Sequence, residues 1–118
     1  MSIKSYSYSD NENISPHFSS TEFRCKCDQP HEIMISDDLI NNLEDIFTKL
    51  NCGKIIINEG YRCKQYDILV GGNGVSPHTA GTAADITCYN DNNEPIISSE
   101  ILQITANTQI KCIEKILP

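Results

Sequence analysis

Between Ser36 and Asn58 the hydrophobic periodicity changes from that of a helix to that of a strand, and this switch limits the folds open to the chain. Leu39, Ile40, Leu43, Ile46, Phe47 and Leu50 recur at spacings of three and four, which is one apolar stripe of a helix. Ser36 is a favoured N-cap residue, and Asp37 and Asp38 put negative charge in the first turn, where the helix dipole favours it. Asn51-Cys52-Gly53 supplies the stop. Lys54-Ile55-Ile56-Ile57-Asn58 is β-branched and too short for a helix of its own, so it predicts a strand buried on both faces. Thr82 to Tyr89 reads as a second strand and Asp91 to Pro95 as a turn, while Ser98-Ser99-Glu100 reads as the capped start of a helix through about Thr108. Helices flanking a few strands, without regular βαβ alternation, predict an α+β fold: a small sheet with flanking helices.

The remaining segments fit around that frame. A length of 118 residues suits one domain with a modest core. Met1 to Asn13 has no periodicity and reads as a loose arm or a short edge strand, giving an N-terminal arm over 1–14 and a single domain over 15–118. Thr21-Glu22-Phe23 follows two serines as a capped single turn, and Cys25 to His31 reads as loop. Cys63 to Val70 can form a brief helix, after which Gly71-Gly72-Asn73-Gly74 is a flexible connection leading to His78.

Charge and cysteine usage narrow the function classes. Nine basic against sixteen acidic residues give a net charge of −7, which opposes the attraction that nucleic acid or an anionic membrane surface requires. No apolar run approaches the roughly 20 residues of a membrane span. The first thirteen residues lack the apolar core of a signal peptide, so cytoplasmic synthesis is expected. Under reducing conditions the six cysteines read mainly as buried thiols. Cys25-Lys26-Cys27 with His31 nearby is the exception, because thiolates and an imidazole can bind zinc, although paired zinc cysteines are normally two or more residues apart.

Ser76-Pro77-His78-Thr79-Ala80-Gly81-Thr82-Ala83-Ala84-Asp85 carries the strongest chemical statement. It sets an imidazole and a carboxylate seven positions apart, with Gly81 allowing the chain to bend between them. His78 on a loop can then face Asp85 on the following strand, supplying two of the three protein ligands that a catalytic zinc needs. By spacing alone, a hydrogen-bonded loop pair is the commoner arrangement. Arg62, taken alone, reads as a strand end that is solvated or paired with Glu59.

The segment resembles the Ser-x-His-x-x-Gly-x-Ala-x-Asp signature of the M15 peptidases, the zinc D-Ala-D-Ala carboxypeptidase and endolysin family. Pro16-His17-Phe18 with Glu22-Phe23-Arg24-Cys25 is similar to that family's opening segment. Ile55 to Cys63 is similar to its Ile-x-Ile-x-x-Gly-Tyr-Arg strand, and Val70-Gly71-Gly72 to its glycine pair, so the resemblance spans about residues 16 to 112. It implies a Hedgehog/DD-peptidase-like fold and a zinc ion held by His78 and Asp85. It further implies that Arg62 stabilises negative charge on substrate and intermediate. Ser76 is expected to order the loop through backbone hydrogen bonds, or else to contact substrate.

Family members carry the third ligand, a histidine, in a segment beyond the last strand, with the general base close before it. This chain ends before that segment, and Glu114, three residues before Leu117 rather than before a histidine, reads as a surface or edge-strand residue. A shortened chain that kept the fold but lost hydrolysis is the expectation preferred over a ligand from His17, His31 or another subunit, and over a fragment of a complete enzyme. The implied function is a zinc-dependent peptidase acting on D-alanyl peptides of peptidoglycan, or a shortened derivative of one. Its rival is a catalytically inactive binding or structural protein, such as part of a phage particle. Release by lysis or association with a virion fits both.

Overall fold

A computed structural model describes residues 2–96 and 102–106. The strands are β1 (Ile3–Tyr6), β2 (Asn13–Ser15), β3 (Phe18–Ser19), β4 (Ile33–Ser36), β5 (Lys54–Glu59), β6 (Ala83–Tyr89) and β7 (Leu102–Thr105). A 3-10 turn spans Ser20–Phe23, and the helices are α1 (Asp37–Lys49) and α2 (Lys64–Leu69). The class is α+β: β5, β6 and β7 form an antiparallel sheet in that order, while β1 pairs with β4 and β2 with β3 in two ribbons.

Helix α1 forms where its stripe predicts and buries Leu39, Ile40, Leu43 and Ile46. They pack against Ile33 and Ile35 of β4 and against the inner face of the sheet, where Ile55, Ala84, Ile86, Cys88 and Ile104 are buried. Each such aliphatic side chain contributes roughly 1.5–3 kcal/mol. Ser36 caps the helix, its hydroxyl accepting the Leu39 N–H at 3.4 Å while the residue is fully buried. Replacing Ser36 by alanine leaves that N–H unpaired and is expected to cost about 0.5–2 kcal/mol, read as a lower midpoint in urea.

Two local expectations are corrected. Strand β5 is buried on one face only: Ile55 points inward, but Ile56 is 41% exposed. With helix on one side of the sheet alone, the strand alternates as an antiparallel strand should. Leu102–Thr105 is a strand and not part of a helix, pairing Ile104 with Ala84 and Gln103 with Asp85. Its side chains alternate, Ile104 buried and Gln103 exposed, and that period of two suits the open edge of β6. Ser98 to Glu100, the expected cap of that helix, lie outside the described residues. Finally, of the two readings of the first residues, the edge strand holds over Ile3–Tyr6, which aligns Ile3 with Ser36 and Tyr6 with Ile33.

Among the described residues no cysteine forms a disulfide; Cys25, Cys52, Cys63 and Cys88 are buried and Cys27 is half-buried. No helix of the described residues is long and apolar enough to cross a membrane.

Candidate active site

The site is assembled on the outer face of the sheet. Opposite the buried row of Ala84, Ile86 and Ile104, β6 presents Asp85, with Glu59 of β5 on one side and Gln103 of β7 on the other. Glu59 reaches that row through an irregularity in the β5–β6 pairing: Ile57 lies opposite Ile86, yet Glu59 and not Asn58 lies opposite Asp85. Such bulges re-aim a side chain next to a functional site. Asn58 is held by its own amide, which donates to the Thr87 hydroxyl at 2.8 Å.

Beyond β5, residues 60–62 are fastened on two sides. The Tyr61 N–H donates to Phe23 O, and the Arg62 N–H donates to His78 O at 3.2 Å. In return the Nδ1 of His78 bonds to Gly60 O at 2.8 Å. A carbonyl oxygen accepts only, so Nδ1 carries a proton, and in the neutral imidazole Nε2 keeps its lone pair. His78 is buried, and that lone pair faces Asp85 Oδ1 at 3.5 Å and the Gln103 amide at 3.2 Å.

The loop before His78 turns back on itself. The Thr79 and Ala80 N–H groups both donate to Ser76 O, and the Thr82 N–H donates to Pro77 O. Gly81, at φ +76°, closes the turn and accepts the Ser36 N–H at 2.8 Å, fixing the loop to the end of β4.

Arg62 lies between two carboxylates. Its Nη1 donates to Asp67 Oδ1 at 3.0 Å, and its Nε faces Glu59 Oε1 at 3.4 Å. The latter contact is an ion pair too long for a good hydrogen bond, and both of its atoms are buried without another partner among the described residues. Asp67 is fully buried and also accepts the Ser76 hydroxyl at 2.7 Å and the Gly74 N–H at 3.0 Å. The Ser76 bond foremost, which outweighs the opposing effect of burial, together with Arg62 and the Gly74 amide, holds the Asp67 carboxyl below its ordinary range. Ser76 therefore orders the loop both through its backbone carbonyl, which accepts the Thr79 and Ala80 N–H groups, and through its hydroxyl, which donates to the Asp67 carboxylate.

His78, Asp85 and Arg62 thus meet at one end of the sheet, with Ser76 behind Arg62. His17 lies elsewhere, between β2 and β3 and packed against α1, with its Nδ1 2.6 Å from Glu44 Oε1 and its ring stacked on Phe47 at 3.7 Å. His31 lines a separate cavity with Cys27 and Cys63, and Glu114 lies outside the described residues. Asp67 and Gln103 complete the site without having been singled out in the sequence, whereas Glu59 stands beside Arg62 as one of the two sequence readings had it. Gln103 alone carried a usable signal, as the polar member of the Leu-Gln-Ile alternation.

Two ligands about 2.0–2.2 Å from a tetrahedral zinc lie roughly 3.3–3.5 Å apart. The 3.5 Å between His78 Nε2 and Asp85 Oδ1 matches such an edge and exceeds a normal hydrogen bond. An imidazole whose other nitrogen is anchored on a backbone carbonyl is likewise the common second contact of a zinc-binding histidine. The residues present therefore fit two ligands of a zinc site.

No curated protein and no solved structure matches the chain. A family model described as Peptidase M15 matches residues 16–114, a stretch that holds Arg62, the Ser76–Asp85 loop and the strands that carry them. The chain therefore belongs to the M15 peptidase family.

Proposed function

We propose that the chain is a zinc-dependent peptidase acting on D-alanyl peptides of peptidoglycan, with His78 and Asp85 as zinc ligands. The observation that carries the reading is His78 Nε2, its ring anchored through Nδ1 on Gly60 O, facing Asp85 Oδ1 at ligand-edge distance. Zinc bound there would supply a Lewis acid that activates water at neutral pH and polarises a peptide carbonyl. Gly60 O fixes the tautomer and orientation of His78, while the β5 and β7 neighbours of Asp85 fix the strand position of that carboxylate. Arg62 supplies permanent positive charge beside the site. Asp67 takes its Nη1 and Glu59 faces its Nε; among the described residues no partner takes Nη2, which is left to a terminal carboxylate or a developing oxyanion. Delivery to the wall by lysis or within a particle belongs to the same proposal.

The second reading, a binding protein derived from such an enzyme, is favoured by one contact. The Gln103 amide donates to the His78 lone pair, so a ligand position is spent within the chain. Zinc content measured beside D-alanine release or cleavage of murein peptides separates the two readings. In the enzyme His78→Ala and Asp85→Ala each lower the zinc content by one equivalent, and both variants fall to background cleavage. Zinc content and peptide turnover that match in parent and variants overturn the zinc-peptidase reading. The same one-equivalent difference without cleavage by the parent favours the binding protein.

A further inference from the structure

Three sulfur atoms converge on the other side of Arg62. Cys25 and Cys27 lie on the loop between the 3-10 turn and β4, Cys63 immediately precedes α2, and their Sγ atoms all lie within 4.8 Å of one another. Two of the three already accept backbone amides: Cys25 Sγ takes the Cys63 N–H at 3.2 Å, and Cys63 Sγ takes the Tyr66 N–H at 3.4 Å. Cys25 and Cys63 are buried, whereas Cys27 is half-buried and borders a cavity shared with His31, Tyr66 and Leu69.

We propose that Cys25, Cys27 and Cys63 bind a Zn2+ ion as three thiolates, separate from the His78–Asp85 site, with the fourth position open to the cavity that His31 lines. Zinc–sulfur bonds of about 2.3 Å set tetrahedral sulfur–sulfur edges of roughly 3.8 Å, so the sulfurs need to close by no more than about 1 Å. Cys25-Lys26-Cys27 by itself is spaced too closely for the usual zinc loop. The fold removes that objection by bringing in Cys63 from 36 residues further on, because the Tyr61 N–H is bound to Phe23 O, two residues before Cys25. A borderline-soft ion without redox chemistry suits an all-thiolate set, and binding releases the three thiol protons to solvent. The ion then ties the 24–32 loop to the residue that follows Arg62, and so supports the position of that guanidinium.

Cobalt(II) titrated into the reduced chain tests this directly, because thiolate-to-cobalt charge-transfer absorption arises only from sulfur ligands. One equivalent is expected to develop that absorption and to lose it when Zn2+ is added. Cys27→Ser and Cys63→Ser abolish it, while His78→Ala and Asp85→Ala retain it, which keeps this proposal distinct from the zinc-peptidase reading. Cys27 is half-buried, so Cys27→Ser is expected to keep the parent circular dichroism spectrum and to report binding alone. Absence of the absorption in folded, reduced chain, or its survival in both serine variants, overturns the proposal. So does a disulfide among these three cysteines in the purified chain by mass spectrometry.

Discussion

Gly81→Ala is expected to lower the melting temperature by roughly 10–20 °C and to uncouple His78 from the sheet. Two separate costs meet at this residue. Gly81 has φ +76°, where an L side chain loses about 1–2 kcal/mol. A Cβ there would also stand 2.5 Å from Met34 O and 2.7 Å from Met34 C, which are backbone atoms and not the free end of a side chain. Overpacking of that kind costs about 1–3 kcal/mol, for a total of about 2–5 kcal/mol. Relief is blocked on both sides. Met34 is paired with Ser5 across β1 and β4, and the Ser36 N–H holds Gly81 O. Gly71→Ala separates the two costs, since Gly71 has φ +102° and open space around its Cβ position. That variant carries the backbone strain alone and is expected to melt only a few degrees low. Equal melting temperatures for the two alanine variants would show that the contact with β4 contributes nothing.

What the sequence made legible follows from how local each signal is. The stripe of α1, its Ser36 cap, and the strand character of β5 and β6 depend on neighbours within one element, and they form as expected. The motif from Ser76 to Asp85 is equally local, and it marks two residues that the fold does bring together. The pairing partners were hidden because they depend on tertiary register. Nothing in Ile3–Tyr6 names Ile33–Ser36 as its neighbour, and the four residues of β7 are too few for their alternation to overrule a capping signal just before them. The bulge that turns Glu59 toward Asp85 exists only in the pairing of two strands. Cys63 joins Cys25 and Cys27 through the Tyr61–Phe23 backbone bond, which no spacing rule anticipates. Asp67 was obscured by its context, since a carboxylate followed by Ile68, Leu69 and Val70 on a short helix reads as a solvated residue. Its burial becomes visible only when Arg62, Gly74 and Ser76 close around it.

Asp67→Asn is expected to weaken the fold and the site together, with a pH dependence that identifies the cause. The substitution conserves shape but removes the charge that faces Arg62 Nη1, and one side-chain amide cannot accept from Arg62, Ser76 and the Gly74 N–H as the carboxylate does. A guanidinium displaced by about 1 Å can cost roughly 10²-fold in the peptide turnover proposed for this site. The sign of the pH effect follows from the lowered Asp67 carboxyl. Unfolded aspartate titrates near about 3.9, so the stability that ionised Asp67 contributes is fully present above that value. It is lost as pH falls through the lower folded value. The parent therefore exceeds Asp67→Asn in melting temperature at pH 7, and the gap narrows once the pH drops below about 4. Other carboxyls held low in the fold, such as Asp37 and Glu44, titrate in both proteins and cancel in the difference. A gap of constant size from pH 7 to pH 3 would mean that Asp67 acts through shape alone. A gap that closes in acid shows that ionised Asp67 holds Arg62 and the loop carrying His78 in one arrangement.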